Sequence, residues 1–173
     1  MGDADRVSVR MVADAVGRTP PSIYLHFATK DDLIHSVCQR QFDALTEVFD
    51  EALDGVEDPV DQITVMARAY LRFAVDHPEE YRVIFMQNSK HHDENIDELQ
   101  MVACFGMLID AVQSCIDSGR FAATDAGLVA ISMWATVHGL ASLWIAHDDG
   151  ETWPSLDAAV DQCLAQTLHG LLA

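Results

Sequence analysis

Between residues 10 and 30 the chain gathers side chains suited to gripping a polyanion: Arg10, Arg18, Thr19, Ser22, Tyr24, His26 and Lys30, with Pro20 and Pro21 among them. Guanidinium and ammonium groups and a phenol are donors to phosphate oxygens, which set the register of a protein on a duplex. Threonine and serine hydroxyls meet base edges or phosphates, and proline offers apolar contact to a thymine methyl. The chemistry on offer is polar and apolar contact rather than bond making.

Catalytic chemistry is not offered. The chain shows no nucleophile paired with a base, no glycine-rich phosphate loop and no paired metal motif, so no catalytic residue, metal or cofactor is expected. His91-His92-Asp93-Glu94 has metal-ligating residue types, but neighbours on a loop rarely converge on one ion, and a solvated loop is the better reading. Cys38, Cys104, Cys115 and Cys163 form no CxxC pair and fall among apolar residues, which reads as buried free thiols.

The elements that position the DNA-facing residues are two short helical patterns. Val12, Ala13 and Val16 recur at helical spacing after Ser8, which is placed to cap them. Gly17 ends the first pattern, because glycine takes left-handed dihedrals at little cost. Thr19 is placed to cap the second and Pro20 suits its first position. Ile23 and Phe27, four apart, turn inward. This is a helix-turn-helix pattern whose second helix is short enough to enter a major groove.

The stretch Ser8 to Leu33 resembles the DNA-binding domain of the TetR family of bacterial transcriptional regulators. The resemblance rests on Val12-Ala13, Gly17, Thr19, Ile23-Tyr24-Leu25-His26-Phe27 and Lys30-Asp31-Asp32-Leu33. It implies that Thr19 to His26 form a recognition helix, with Thr19, Pro20, Pro21 and Ser22 toward the groove. Tyr24 and Lys30 then anchor phosphates, Arg10 and Arg18 flank the turn within reach of base edges or backbone, and His26 either touches phosphate or packs. TetR-type heads open with one further helix. Only seven residues precede Ser8 here, so the head is expected to be truncated and to lack that helix, leaving Val12, Val16 and Phe27 partly uncovered.

The rest of the chain reads as helix after helix, with no period-2 strand. Asp31 to Asp54 carries an apolar stripe through Val37, Phe42 and Phe49. Helices are expected over Pro59 to Asp76, from Pro78 to about Gln87, over Ile96 to Ser118 closed by Gly119, over Asp125 to His147, and over Leu156 to Leu172. The segment from Asp125 is apolar on nearly every face and is expected to be buried all round. The fold class is all-α: a helix-turn-helix head over residues 1–35, and over residues 36–173 a helical bundle for ligand binding and dimerisation.

His77-Pro78-Glu79-Glu80-Tyr81 and Trp134-x-x-x-His138-Gly139-Leu140 resemble the ligand-binding domain of a TetR subgroup named for its Trp-His-Gly signature. The resemblance implies a pocket for a small apolar or amphipathic effector, lined by Phe73, Tyr81, Phe85, Met101, Phe105, Trp134 and His138. His138 is either a polar contact for that ligand or, more ordinarily, a core imidazole satisfied by a backbone carbonyl. The last two helices carry small residues, Ala135, Gly139 and Ala141, that permit close approach, and more apolar surface than one small bundle needs. A homodimer pairing them would present two recognition helices to a palindromic operator.

Charge qualifies this. The net charge is −18. Residues 1–35 carry four basic against five acidic side chains, a net −1, leaving −17 on the remainder. A near-neutral end on an acidic body predicts weak non-specific binding and strong salt sensitivity. The expected function is a ligand-responsive regulator, a repressor, in the cytoplasm. No apolar run of 18 residues and no signal pattern is expected, hence no membrane partner. The alternative is a ligand-binding dimer whose incomplete head no longer binds DNA.

Overall fold

The computed structural model describes residues 8–82, 85, 97–122, 125–147 and 155–172. They form eight helices and one isolated antiparallel bridge, Phe121 to Leu172. The expected loop at residues 88–95 lies outside the described residues, as do residues 1–7 and with them the expectation about a missing first helix.

Local chemistry sets the first three elements. Helix α1, Val9–Ala15, starts where the Ser8 hydroxyl accepts the Met11 amide at 3.2 Å. It ends in a Schellman motif: Gly17 takes φ 65°, its amide donates to the Asp14 carbonyl at 3.3 Å, and Arg18 donates to the Ala13 carbonyl at 2.8 Å. Helix α2 is Pro20–Tyr24. Thr19 precedes it but makes no side-chain cap, contrary to expectation. The two prolines remove the first two amides, and the Ser22 amide and hydroxyl both donate to the Thr19 carbonyl, at 2.9 and 2.7 Å.

Helix α3, Lys30–Leu53, opens with a reciprocal cap that the sequence reading missed. The Asp32 amide donates to the Thr29 hydroxyl at 3.0 Å, and the Thr29 amide donates to the Asp32 carboxylate at 2.8 Å. This is a capping box with aspartate in the acidic position, so Asp32 has a role beyond favouring the helix dipole.

The contacts divide the chain into two compact units, Met1–Ala44 with Glu79–Met101, and Leu45–Pro78 with Val102–Ala173. In the first, α1 packs on α2. Val9, Ala13, Cys38 and Phe42 are buried, and Tyr81, at the end of α5 (Pro78–Tyr81), is fully so. Two expected inward residues are exposed instead. Val16, at 58 % exposure, is the C-cap of α1 and already leaves the helical face, and Val37 lies at the margin of the α3 stripe.

The second unit is built from α4 (Pro59–Asp76), α7 (Ala126–Ala146) and α8 (Leu156–His169), which pack on one another, with the later turns of α6 (Asp97–Asp117). Its core includes Ile63, Leu71, Val112, Ala130, Ala141 and Val160. Each large apolar side chain buried there stabilises the fold by roughly 1.5–3 kcal/mol. Gly119, at φ 72°, closes α6 with a second Schellman motif, and brings Arg120 to the Asp58 carboxylate at 2.8 Å. Asp58 also caps α4, accepting the Val60 and Asp61 amides. The Arg120 guanidinium is the main reason its carboxyl is held below the usual carboxylate value.

Helix α8 stops at His169 rather than Leu172: Gly170 is its C-cap, and Leu172 pairs with Phe121. Cys38, Cys104 and Cys115 are buried free thiols, whereas Cys163 is only half-buried. Helix α7 corrects two expectations. It is 21 residues without Asp, Glu, Lys or Arg, long and apolar enough by length and composition to cross a membrane, so the chain does contain such a run. Nor is it buried all round: Leu128, Ile131 and Leu143 face outward, Leu128 at 65 % exposure.

Candidate nucleic-acid interface and ligand site

The head places its candidate DNA contacts on and beside α2. Arg10, on α1, and Arg18, in the turn, are exposed, as are Thr19, Pro21, Tyr24 and His26. Pro20, Ser22 and Lys30 are half-buried. Ile23 and Phe27 are half-buried on the other side of α2, so the inward pair is read correctly and the remaining faces are left to solvent. Tyr24 is 51 % exposed, a cost for a large ring unless a partner covers it. Leu25, which the sequence reading left without a role, is 83 % exposed. Its signal was its place four residues after Pro21, away from Ile23.

The candidate ligand contacts fall in both units. Phe105, Trp134 and His138 cluster in the second unit: the Phe105 and Trp134 rings lie edge-on at 6.1 Å, and the Trp134 and His138 rings are 4.9 Å apart. All three are half-buried. Helix α7 brings Trp134 and His138 together because they are four apart on it. Phe73, buried on α4, has its ring 5.0 Å from that of His77 and tilted 45° to it. Tyr81 and Phe85 lie in the first unit, 5.1 Å apart, with Phe85 edge-on to Phe42 at 5.9 Å. The side chain of Met101 lies outside the described residues.

A residue that sequence reasoning treated only as core joins the cluster. The hydroxyl of Tyr70, on α4, lies 2.8 Å from His138 Nδ1. The sequence reading considered only a backbone carbonyl or a ligand for His138, and the phenol of the facing helix is a partner it did not foresee. A buried tyrosine needs a partner for its hydroxyl, and the histidine on the neighbouring apolar helix was the available signal. Burial lowers the His138 pKa below 6.5, which favours the neutral imidazole. In that state one ring nitrogen donates and the other accepts.

The faces outside this cluster carry surface ion pairs. Arg68 pairs with Asp161 and Arg72 with Asp157 at 3.8 Å, each linking α4 to α8. Such exposed pairs contribute little to stability. The outward side of α7 presents Leu128, Ile131 and Leu143 beside the exposed small residue Ala135.

Comparison with known proteins matches both parts of the chain. Residues 2–37 match the family described as bacterial regulatory proteins, tetR family, and residues 63–170 match the tetracyclin repressor-like C-terminal domain. The HTH-type transcriptional activator FasR of Mycolicibacterium smegmatis is 27 % identical over 126 residues, 70 % of this chain. That stretch spans 58 % of FasR's own length. Among solved structures, a Rhodococcus sp. RHA1 protein of unknown function superposes with a TM-score of 0.82 at 22 % identity, over 98 % of this chain and 87 % of its own. The fatty acid degradation regulator FadR of Bacillus halodurans superposes with a TM-score of 0.80 at 15 % identity, over 96 % and 86 %. These likenesses establish the all-helical architecture of a helix-turn-helix followed by a helical domain.

Proposed function

The chain belongs to the TetR family of transcriptional regulators, and on that premise we propose that it is a cytoplasmic, ligand-responsive repressor that binds a palindromic operator as a homodimer. Residues 1–35 are the DNA-binding head and residues 36–173 the ligand-binding and dimerisation body, of the subgroup with the Trp-His-Gly signature. The observation that carries the reading is the helix-turn-helix itself: α1 and α2 locked by a Schellman turn, with Arg10, Arg18, Thr19, Tyr24 and His26 exposed around α2.

Tyr24 and Lys30 hold phosphates and fix register, while Thr19, Pro20, Pro21 and Ser22 face bases. The effector is small and apolar or amphipathic. Phe105 and Trp134 supply apolar walls, and the Tyr70–His138 pair supplies the polar contact. The exposed leucines and isoleucine of α7 meet their equivalents on a second copy, so that the twofold presents two heads to two half-sites.

Response to the effector is a population shift. A ligand that favours a head spacing unsuited to the operator lowers DNA affinity by its differential affinity for the two states, and by no more. Helix α3 is the proposed route, since one continuous helix carries the chain from Lys30 to Leu53. Neither a cofactor nor a catalytic residue has a part in this mechanism.

The test is genetic. Deleting the gene should raise transcripts whose promoters the protein occupies. A fall in those transcripts would make it an activator, as FasR is named. No change at any occupied promoter would overturn regulation as its function.

A further inference from the structure

The outermost face of the DNA-facing helix is apolar. Helical geometry advances about 100° per residue, so Pro21 and Leu25 lie one turn apart and roughly opposite Ile23. Leu25 keeps right-handed helical dihedrals, φ −70° and ψ −23°, so the count extends to it. Pro21 is exposed and Leu25 is 83 % exposed, and together they make an apolar ridge on the side away from the head's own core.

Hydrogen-bonding readout beside this ridge is left to the exposed Thr19 hydroxyl, which makes no cap, and to Arg18, Tyr24 and His26 at its flanks. Residues 19–26 include no Arg, Lys, Asn, Gln, Asp or Glu, the side chains that pair with guanine, adenine or cytosine edges. The first two amides of α2 are absent because Pro20 and Pro21 lack them, and the next two, of Ser22 and Ile23, donate to the Thr19 carbonyl at 2.9 and 3.3 Å. The Ser22 hydroxyl spends its proton on the same carbonyl. Among the features a B-DNA major groove displays, the apolar one is the C5 methyl of thymine.

We propose that this chain reads thymine methyl groups in its operator by packing them against Pro21 and Leu25, with Leu25 a specificity-determining residue. The inference rests on the DNA-binding reading above. The ridge is continuous with that interface, flanked by the exposed Arg18 and Tyr24, and its occupant is operator DNA.

Deoxyuridine differs from thymidine only by the methyl, so it isolates the contact. Operators carrying deoxyuridine at one thymine at a time are titrated with the full chain and with Leu25→Ala, whose melting is followed as a folding control. At one or two thymines of each half-site the wild-type chain should lose roughly three- to fivefold in affinity per methyl removed. Leu25→Ala should lose a similar factor on the thymidine operator and no longer distinguish deoxyuridine at one of those positions. Equal binding of both operators by the wild-type chain, with Tyr24→Ala still weakening both, would leave DNA binding intact and overturn the methyl readout. Unchanged operator affinity in Leu25→Ala would assign the ridge to another occupant and also overturn it. Failure to bind any specific site would overturn the DNA-binding reading and this inference together.

Discussion

The Tyr70 hydroxyl and His138 Nδ1, 2.8 Å apart, join α4 to α7 inside packing that is otherwise apolar. A neutral hydrogen bond of this kind contributes about 1 kcal/mol net, but its loss leaves a desolvated partner and costs somewhat more. Tyr70→Phe removes the hydroxyl and keeps the ring. We expect a loss of about 1–2 kcal/mol in urea unfolding, with a several-fold weaker response to effector. A variant as stable and as responsive as wild type would remove the pair from both roles.

The pH dependence of stability follows from the same pair. Burial lowers the folded pKa of His138 below its ordinary value of 6.5. As pH falls through that ordinary value, the unfolded chain binds the proton first, so the unfolded state is favoured. The stability contributed by a neutral His138 is therefore complete above about pH 7 and declines as pH drops toward the folded pKa, where the loss levels off. His138→Gln should flatten the difference in unfolding free energy between pH 8 and pH 5.5. Asp58, also shifted downward, titrates below this window and does not confuse it. An identical pH slope in the variant would contradict the assignment.

How far the sequence could be read depended on whether a residue's role was local. Ser8, through its hydroxyl, and Gly17 and Gly119, through their backbone freedom, mark helix ends locally, and the structure uses each as read. Thr19 did not behave as read because Pro21 removes one amide that its hydroxyl could have capped and the Ser22 amide donates to the Thr19 carbonyl instead. The Thr29–Asp32 box escaped notice because aspartate stands in for the usual glutamate. Tyr70 escaped for a different reason: its hydroxyl partner lies 68 residues along the chain, and nothing in local spacing announces it. The α7 faces were misjudged because composition alone does not separate a helix buried within one chain from one with an outward apolar side.

That outward side gives a prediction about assembly. Leu128 and Leu143 are 65 % and 50 % exposed, so glutamate at either should leave the protomer folded. If α7 pairs with its copy, Leu143→Glu buries two unpaired carboxylates across the twofold, and the dimer should dissociate at micromolar concentration. Sedimentation of wild type as a dimer and of the variant as a folded monomer is the expected result. A wild-type monomer, or a variant that remains dimeric, would show that the interface lies elsewhere.

Phosphate anchoring predicts a sequence-independent effect. Lys30→Ala should weaken binding about equally on specific and unrelated DNA, and should reduce the slope of log affinity against log salt by about one per protomer bound. Tyr24→Ala should weaken both as well, with less change in slope because the phenol carries no charge. Loss confined to one operator sequence would move either residue from positioning to base readout.

The most direct test of the account is selection of genomic DNA fragments by the purified chain at low salt, with Tyr24→Ala alongside. The account predicts enrichment of a palindromic site, with half-sites a whole number of helical turns apart, and weaker recovery by the variant. Recovery of no fragment above background, or equal recovery of the same fragments by wild type and variant, would contradict the assignment of α2 as the element that reads DNA.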